Sequence, residues 1–244
     1  MEELKIYPHV SVDCVVFGLD GNHLSVLLVE RSRYDEQQRK EQKFMKLPGS
    51  LIYGNETLDD AVQRVLKGYT GCAKLPLKQF KSFSDPFRTS NQKDVMWLEN
   101  TIKLKIGRII TVAYISLCKV NRKLSNVLKK YDDTVQWVPV TEVPLLPFDH
   151  NQIIVEAREA ISAWVENDSS IVFELLPSKF TISQLRTVYE VIFDVSMDVR
   201  NFYKRIAATS YIVPLEEKET EVSHRAARYY KFSRALYNRS KQKI

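Results

Sequence analysis

At 244 residues the chain is long enough for one large domain or two modest ones. Apolar residues make up 44% of it, an ordinary globular share, and 7 Gly with 9 Pro leave no room for a long flexible linker or a collagen-like segment. The net charge of +6 is uneven: residues 169–244 carry 13 basic and 8 acidic side chains, and residues 225–244 carry 7 basic and no acidic ones, which points to a separate C-terminal module that meets an anionic partner, or more blandly to a solvated basic tail.

Val10, Val12, Cys14 and Val16 alternate as a strand should, and Leu24 to Val29 is a second apolar run. The turn signal Asp20-Gly21-Asn22 between them predicts a hairpin. Residues 48–72 read as a loop followed by a helix. Leu58, Ala61, Val62, Val65 and Leu66 give it an i, i+3, i+4, i+7, i+8 stripe, and Asp59 and Asp60 sit in its first turn, where the helix dipole favours acids. Phe80 to Phe83 is a candidate strand. The polar stretch Asn91 to Lys105 reads as an extended hairpin or surface loop, a lid or dimer contact at most. Arg108 to Cys118 and Val135 to Val140 are β-branched strands. Asp149 is placed to cap a helix, with Gln152 at its third position and Ile153, Ile154, Ala157, Ala160, Ile161 and Trp164 on one face. This order predicts an α+β domain over 1–168, a mixed sheet with flanking helices.

A second pattern fills 169–244. Thr181 with Gln184 three residues on is a capping-box signature, and Leu185, Val188, Tyr189 and Ile192 form a helical core face. After the break at Asp194-Val195-Ser196 comes a second helix, with Val199, Phe202, Tyr203 and Ile206 expected inward. Its front carries Arg200, Asn201, Lys204 and Arg205, the side chains that a DNA major groove accepts; a solvated charged face is the bland alternative. Two apolar strands, Tyr211 to Leu215 and Ala226 to Phe232, flank a polar loop that is acidic at Glu216, Glu217, Glu219 and Glu221 and basic at its base, at His224, Arg225, Arg228 and Lys231. Helix, turn, helix, hairpin is the plan of a winged helix-turn-helix.

No apolar run approaches the ~20 residues of a membrane span, and the opening Met-Glu-Glu-Leu-Lys does not read as a signal peptide. Cys14, Cys72 and Cys118 are odd in number and set among apolar residues, which suits buried thiols in a reducing cytoplasm. His9, His23, His150 and His224 share no metal-ligand spacing. No metal and no cofactor is expected.

Residues 48–72 resemble a Nudix box: Glu56, Arg64, Leu66, Gly71 and Cys72 fit its pattern, Ser50 replaces its first Gly, and its three metal-holding carboxylates fall on Val65, Gly68 and Tyr69. Trp137-Val138-Pro139, the run Pro147 to His150, Glu174 to Pro177, Phe180 to Leu185, Asp198 to Phe202 and Arg225 to Phe232 resemble the signature of Nudix-related transcriptional regulators, from about Val10 to Phe232. Ala226 departs from a Pro common in that family. The resemblance implies an ion pair of Glu56 with Arg64 and no catalytic residue. It implies double-stranded operator DNA as a partner, bound by a homodimer, and a small-molecule effector in the Nudix cleft: a pentose, a sugar phosphate or ADP-ribose. Carried over onto this chain, Thr181, Gln184, Arg200, Asn201, Lys204, Arg205, Arg225 and Arg228 would meet DNA, and Arg31, Lys46, Asp85, Arg88 and Arg108 would line the effector cleft. Two other readings stay open: a working Nudix pyrophosphohydrolase acting on ADP-ribose or a nucleotide sugar, and an adaptor whose basic tail binds acidic protein.

Overall fold

The computed structural model describes residues 6–35, 39–72, 74–120, 134–220 and 226–242. The chain divides into two compact units. One comprises Met1–Gly18 with Ser25–Ala160, the other Leu19–Leu24 with Ile161–Ile244.

The first unit is built on a mixed sheet in the order β3-β2-β1-β6-β5, with β4 also paired to β1 and β7 to β2. Its strands are β1 (Ile6–Asp20), β2 (His23–Asp35), β3 (Lys40–Lys46), β4 (Gly49–Tyr53), β5 (Leu77–Phe83), β6 (Ile110–Leu117) and β7 (Thr134–Pro139). Gly21, at φ 61°, makes the turn between β1 and β2. Strands β1 and β6 run parallel, Val10 opposite Ile110 through Phe17 opposite Leu117. Residues 11–18 of β1 are buried without interruption, so the strand is covered on both faces; they are apolar apart from Ser11 and Asp13. On one face Val12, Cys14, Val16, Leu27, Val29, Val112 and Tyr114 pack with Ala61, Val62, Val65 and Leu66 of helix α1 (Leu58–Thr70). The alternate residues Val15, Phe17, Val26, Leu28, Ala113, Ile115 and Leu117 are fully buried on the other face.

Helix α1 begins at a capping box, Thr57 with Asp60, and ends at Gly71, whose φ of 68° suits a left-handed C-cap. The expected pairing of Glu56 with Arg64 is present and bidentate. Arg64 donates from Nε at 2.9 Å and from Nη2 at 2.6 Å, Glu56 also accepts the Tyr53 amide at 2.8 Å, and the guanidinium lies 4.1 Å from the Tyr53 ring centroid.

The segment Asn91 to Lys105 is not the hairpin or loop that its polarity suggests. It is helix α2 (Gln92–Ile102), capped by the Asn91 side chain on the Lys93 amide and closed by Lys103 in the left-handed region. What holds it is tertiary: Asp94 is buried and accepts the Phe148 amide at 3.1 Å, and Trp97 meets Phe44 edge to face at 5.0 Å. Strands β3 and β4 and the helix α6 below are also additions to the elements expected from sequence.

Helix α3 (His150–Asn167) buries Ile153, Ile154, Ala157, Ile161 and Val165. The second unit continues with a 3₁₀ turn at Ser169–Leu175 and strand β8 (Phe180–Thr181). It is completed by α4 (Ile182–Phe193), α5 (Val199–Ala207), β9 (Ile212–Lys218), β10 (Arg228–Phe232) and α6 (Arg234–Lys241), the three strands ordered β8-β10-β9. An aromatic cluster holds it together: Phe232 stacks on Phe173 at 4.1 Å, and Tyr211 meets Tyr237 edge to face at 5.0 Å. The basic C-terminal stretch is thus not a free tail as far as residue 241. Ser233 caps α6, and the Tyr237 hydroxyl donates to Asp168 at 2.7 Å. Among the described residues no helix is long and apolar enough to cross a membrane.

Replacing Glu56 by Ala removes the acceptor of the Tyr53 amide and leaves Arg64 only its longer bonds to the Ser50 hydroxyl at 3.4 Å and the Leu51 carbonyl at 3.3 Å. Because the site is partly exposed, the expected cost is about 1–2 kcal/mol in a denaturant titration, with Glu56→Gln losing less because it still accepts from Tyr53.

Candidate effector pocket and DNA-reading helix

A cavity of about 200 Å³ opens in the first unit. Trp97, Leu98, Thr101 and Ile102 of α2 form one wall, and Lys46 and Gly49 to Leu51, between and along β3 and β4, form another. Asp13, Arg88 and His150 line it too. Asp13, Lys46, Arg88 and His150 are each less than a tenth exposed, which is costly for ionisable groups unless they are paired.

The pairing is extensive. Arg88 donates to both Asp149 oxygens at 2.6 and 2.8 Å and to the Thr111 hydroxyl at 2.5 Å. Thr111 in turn shares a hydrogen bond with Ser11 at 2.6 Å. Lys46 donates to the carbonyls of Leu47 at 2.8 Å and Gly49 at 3.3 Å. The Nδ1 of His150 accepts the Leu47 amide at 3.2 Å, so the ring's proton sits on Nε2, which faces Asp13 Oδ2 at 3.7 Å. Burial, reinforced by the Lys46 charge, pushes His150 down to about 3, so the ring is neutral. Burial raises Asp13 to about 6 against the pull of Lys46 and Arg88. Gly49 permits this packing: a Cβ there would lie 1.8 Å from Asp13 Oδ1 and 2.8 Å from the Val12 carbonyl oxygen.

Of the effector residues expected from sequence, Arg31, Lys46 and Arg88 line the cavity. Arg31 also donates to the Tyr69 hydroxyl at 3.3 Å. Asp85 and Arg108 do not line it. Asp85 is exposed and folds onto its own loop, accepting the Phe87 amide at 2.7 Å, while Arg108 is exposed and donates to the Ser84 carbonyl at 2.6 Å. Both belong to exposed connections that leave the sheet beside the cavity. Asp13, His150 and Trp97 are additions. The one sequence signal for Asp13 is a lone carboxylate inside an apolar strand. Asp149 is taken up by Arg88, a use that its candidacy as a helix cap does not foreshadow.

The residues at the metal positions of a Nudix box do not fit a magnesium cage. Val65 is in the core, Gly68 has no donor, and the Tyr69 hydroxyl meets Arg31. The nearby acids have other partners: Glu56 pairs with Arg64, Asp60 caps α1, and Asp59 accepts the Tyr114 hydroxyl at 2.9 Å. Among the described residues no group of three His, Cys, Asp or Glu side chains could hold a metal ion.

In the second unit α4 and α5 are joined through Glu190, which accepts from Arg186 at 2.6 Å and from the Met197 amide at 2.8 Å. Asp198 caps α5 through the Asn201 amide. Arg200, Asn201 and Lys204 are exposed on α5. Arg205 is exposed too, but its guanidinium lies 5.0 Å from the Phe202 ring centroid and 5.6 Å from that of Tyr189, drawn towards the helix's own aromatic side. The inward face is narrower than expected. Phe202 and Ile206 are buried, whereas Val199 is 52% and Tyr203 40% exposed, because a nine-residue helix docks through one short strip. The Thr181 hydroxyl is buried and closes the capping box with the Gln184 amide, so of that pair only Gln184 is open to a phosphate. Arg228 donates to the Leu215 carbonyl at 2.6 Å and to Glu216 at 2.8 Å, and Lys179 pairs with Glu217, so Glu216 and Glu217 each neutralise a neighbouring cation. His224 and Arg225 lie outside the described residues.

A NUDIX domain model matches residues 7–158, and a model described as the NrtR DNA-binding winged helix domain matches residues 172–232. The ADPR responsive transcriptional repressor NtrR of Acinetobacter baylyi is 22% identical over 235 residues, 95% of this chain and 84% of that protein. The crystal structure of Shewanella oneidensis NrtR complexed with a 27mer DNA superposes with a TM-score of 0.69 at 23% identity, over 94% of this chain and 95% of that one. A MutT/nudix family protein from Enterococcus faecalis gives a TM-score of 0.61 at 23% identity, over 93% and 88% of the two chains. A Nudix-type sheet with a polar-floored cavity, joined to a DNA-binding winged helix, defines a ligand-responsive transcriptional regulator. The chain belongs to the NUDIX domain family and carries the NrtR-type winged helix.

The buried pair makes a pH prediction. Asp13 keeps its proton longer when folded, so its contribution to stability falls as pH rises from about 4 to 6. His150 loses its proton earlier when folded, so its contribution rises with pH from about 3 to 6.5. The two oppose each other between pH 4 and 6. Asp13→Asn removes the first, and its unfolding free energy is expected to climb more steeply with pH across that window than the wild type's. Parallel curves from denaturant titrations at successive pH values would show that Asp13 does not titrate there.

Proposed function

We propose that the cavity of the first unit is the effector site, that a ribose-like polyol is the moiety it takes, and that the domain binds this ligand without hydrolysing it. One observation carries the reading: Asp13, Lys46, Arg88 and His150 are buried and mutually compensated around a cavity open to ligand, where an apolar filling would pack as well and fold more cheaply. The carboxylate of Asp13 suits hydroxyl groups, the Lys46 and Arg88 charges favour an anionic substituent, and Trp97 offers a flat apolar flank for a sugar ring. The Acinetobacter relative is described as responsive to ADPR. A free pentose or pentose phosphate shares the chemistry of the terminal ribose of ADP-ribose.

The absence of turnover is supported by Val65, Gly68 and Tyr69 at the metal positions. Residues 1–168 would form the effector domain and residues 169–244 the DNA reader, acting in the cytoplasm as a homodimer. Arg200, Asn201 and Lys204 would enter the groove, with Gln184 near a phosphate. Ligand binding would shift the population between DNA-competent and incompetent states through its different affinity for them.

Melting curves with ADP-ribose, ribose, arabinose, xylose and ribose 5-phosphate test the site. A ligand at 100 times its Kd stabilises the native state by about 2.7 kcal/mol. One member of the panel is expected to raise the melting temperature of the wild type but not of Trp97→Ala. Magnesium-dependent cleavage of ADP-ribose or a nucleotide sugar would instead establish a hydrolase. Replacing Arg200 and Lys204 together by Ala is expected to abolish salt-sensitive operator binding, and intact affinity would exclude α5 as the reading helix.

A further inference from the structure

We infer that Val199, Tyr203 and Ala207 form a thymine-reading shoulder on α5, with Tyr203 as its main specificity-determining residue. This rests on the reading of α5 as the DNA-reading helix. Residues four apart lie one above another on a helix, so the three make a single stripe along its axis. All three are exposed, Val199 at 52% and Tyr203 at 40%, although their neighbours Phe202 and Ile206 are buried. The stripe runs directly beside Arg200 and Lys204.

A single exposed apolar side chain needs no explanation, but a continuous stripe of them beside a basic row does. The charge decides what covers it. Helix α5 carries Arg200, Lys204 and Arg205 and no acidic residue, and Asp198 just before it is used as the cap. The Arg205 guanidinium is drawn over the rings of Phe202 and Tyr189. The outward cations are therefore Arg200 and Lys204, and the apolar stripe lies at their edge. A surface that is half cationic and half apolar matches the major groove, where phosphates line the walls and the C5-methyl of thymine is the apolar group on the floor. Tyrosine suits the task because it covers a large area while ordering only two side-chain torsions. The stripe would therefore add preference for T·A pairs to whatever Arg200, Asn201 and Lys204 read by hydrogen bonding.

The test uses a duplex selected from a random-sequence pool by the wild-type full-length chain. Each thymine of that duplex is then replaced in turn by deoxyuridine, which removes only the methyl group. At one or two thymines per half-site the wild type is expected to lose about fourfold in affinity, the size of one buried methyl. Tyr203→Ala and Val199→Ser are each expected to lose this sensitivity at one of those positions while keeping the wild-type salt dependence, and Tyr203→Phe to retain it. Both sites are exposed, so unchanged melting temperatures confirm that the variants fold. If the deoxyuridine pattern of Tyr203→Ala and Val199→Ser equals that of the wild type, the inference fails and the regulator reading stands. If instead the substitutions change the oligomeric state and leave the pattern intact, the stripe packs against protein. If the wild type enriches no sequence, the regulator reading fails and takes the inference with it.

Discussion

The first unit is organised around a desolvated ionic cluster. Burying Asp13, Lys46, Arg88 and His150 would each cost several kcal/mol without compensation, and the compensating groups come from the β3–β4 turn and from the entry to α3. Asp149, at the start of α3, meets Arg88. The carbonyls at 47 and 49 hold Lys46, and the Leu47 amide fixes the His150 tautomer. Gly49 leaves the space in which the Asp13 carboxylate sits. The turn between β3 and β4, the entry to α3 and the loop ahead of α2 are thereby fixed relative to the central strands β1 and β6. Helix α2 is tied in by Asp94 on the Phe148 amide, two residues before His150. The walls and the floor of the cavity thus share one set of hydrogen bonds.

The degenerate box shows the opposite economy. The parts of it that shape the backbone persist: the bidentate Glu56–Arg64 pair, the capping box at Thr57 and the glycine C-cap at Gly71. At the positions where a Nudix box holds metal-binding carboxylates stand side chains used for packing and hydrogen bonding, Val65 in the core and Tyr69 accepting from the Arg31 guanidinium. The loop and helix still cover the sheet without a divalent ion to balance clustered carboxylates.

What was legible in the sequence follows from the range of the forces involved. Alternation marked β1, and apolar or β-branched runs marked β2, β6 and β7, because strand propensity and the two-residue side-chain period are local properties of the sequence. Local hydrogen bonding marked α4, whose capping box of Thr181 and Gln184 is present as expected. Helix α2 escaped because its apolar residues are few and its anchors, Asp94 on Phe148 and Trp97 on Phe44, are tens of residues away in sequence. Strands β3 and β4 are set by pairing with β2 and β1 rather than by their own composition. Periodicity overcounted the inward face of α5, since a four-residue stripe fits a long helix and this short one buries only Phe202 and Ile206. For the cavity, Lys46, Arg88 and Arg31 could be nominated by charge. Asp13 and His150 could not, since only the folded sheet brings residues 137 positions apart within 3.7 Å.

The central claim is that this compensated cavity is a receptor. Hydrogen–deuterium exchange of the full chain, with and without saturating ADP-ribose and with and without each free pentose, tests it most directly. The prediction is that one of these ligands slows exchange in residues 92–102, in the turn around residues 46–51 and at the start of α3, the segments that bound the cavity. A ligand that raises the melting temperature while leaving exchange in all three segments unchanged would contradict it.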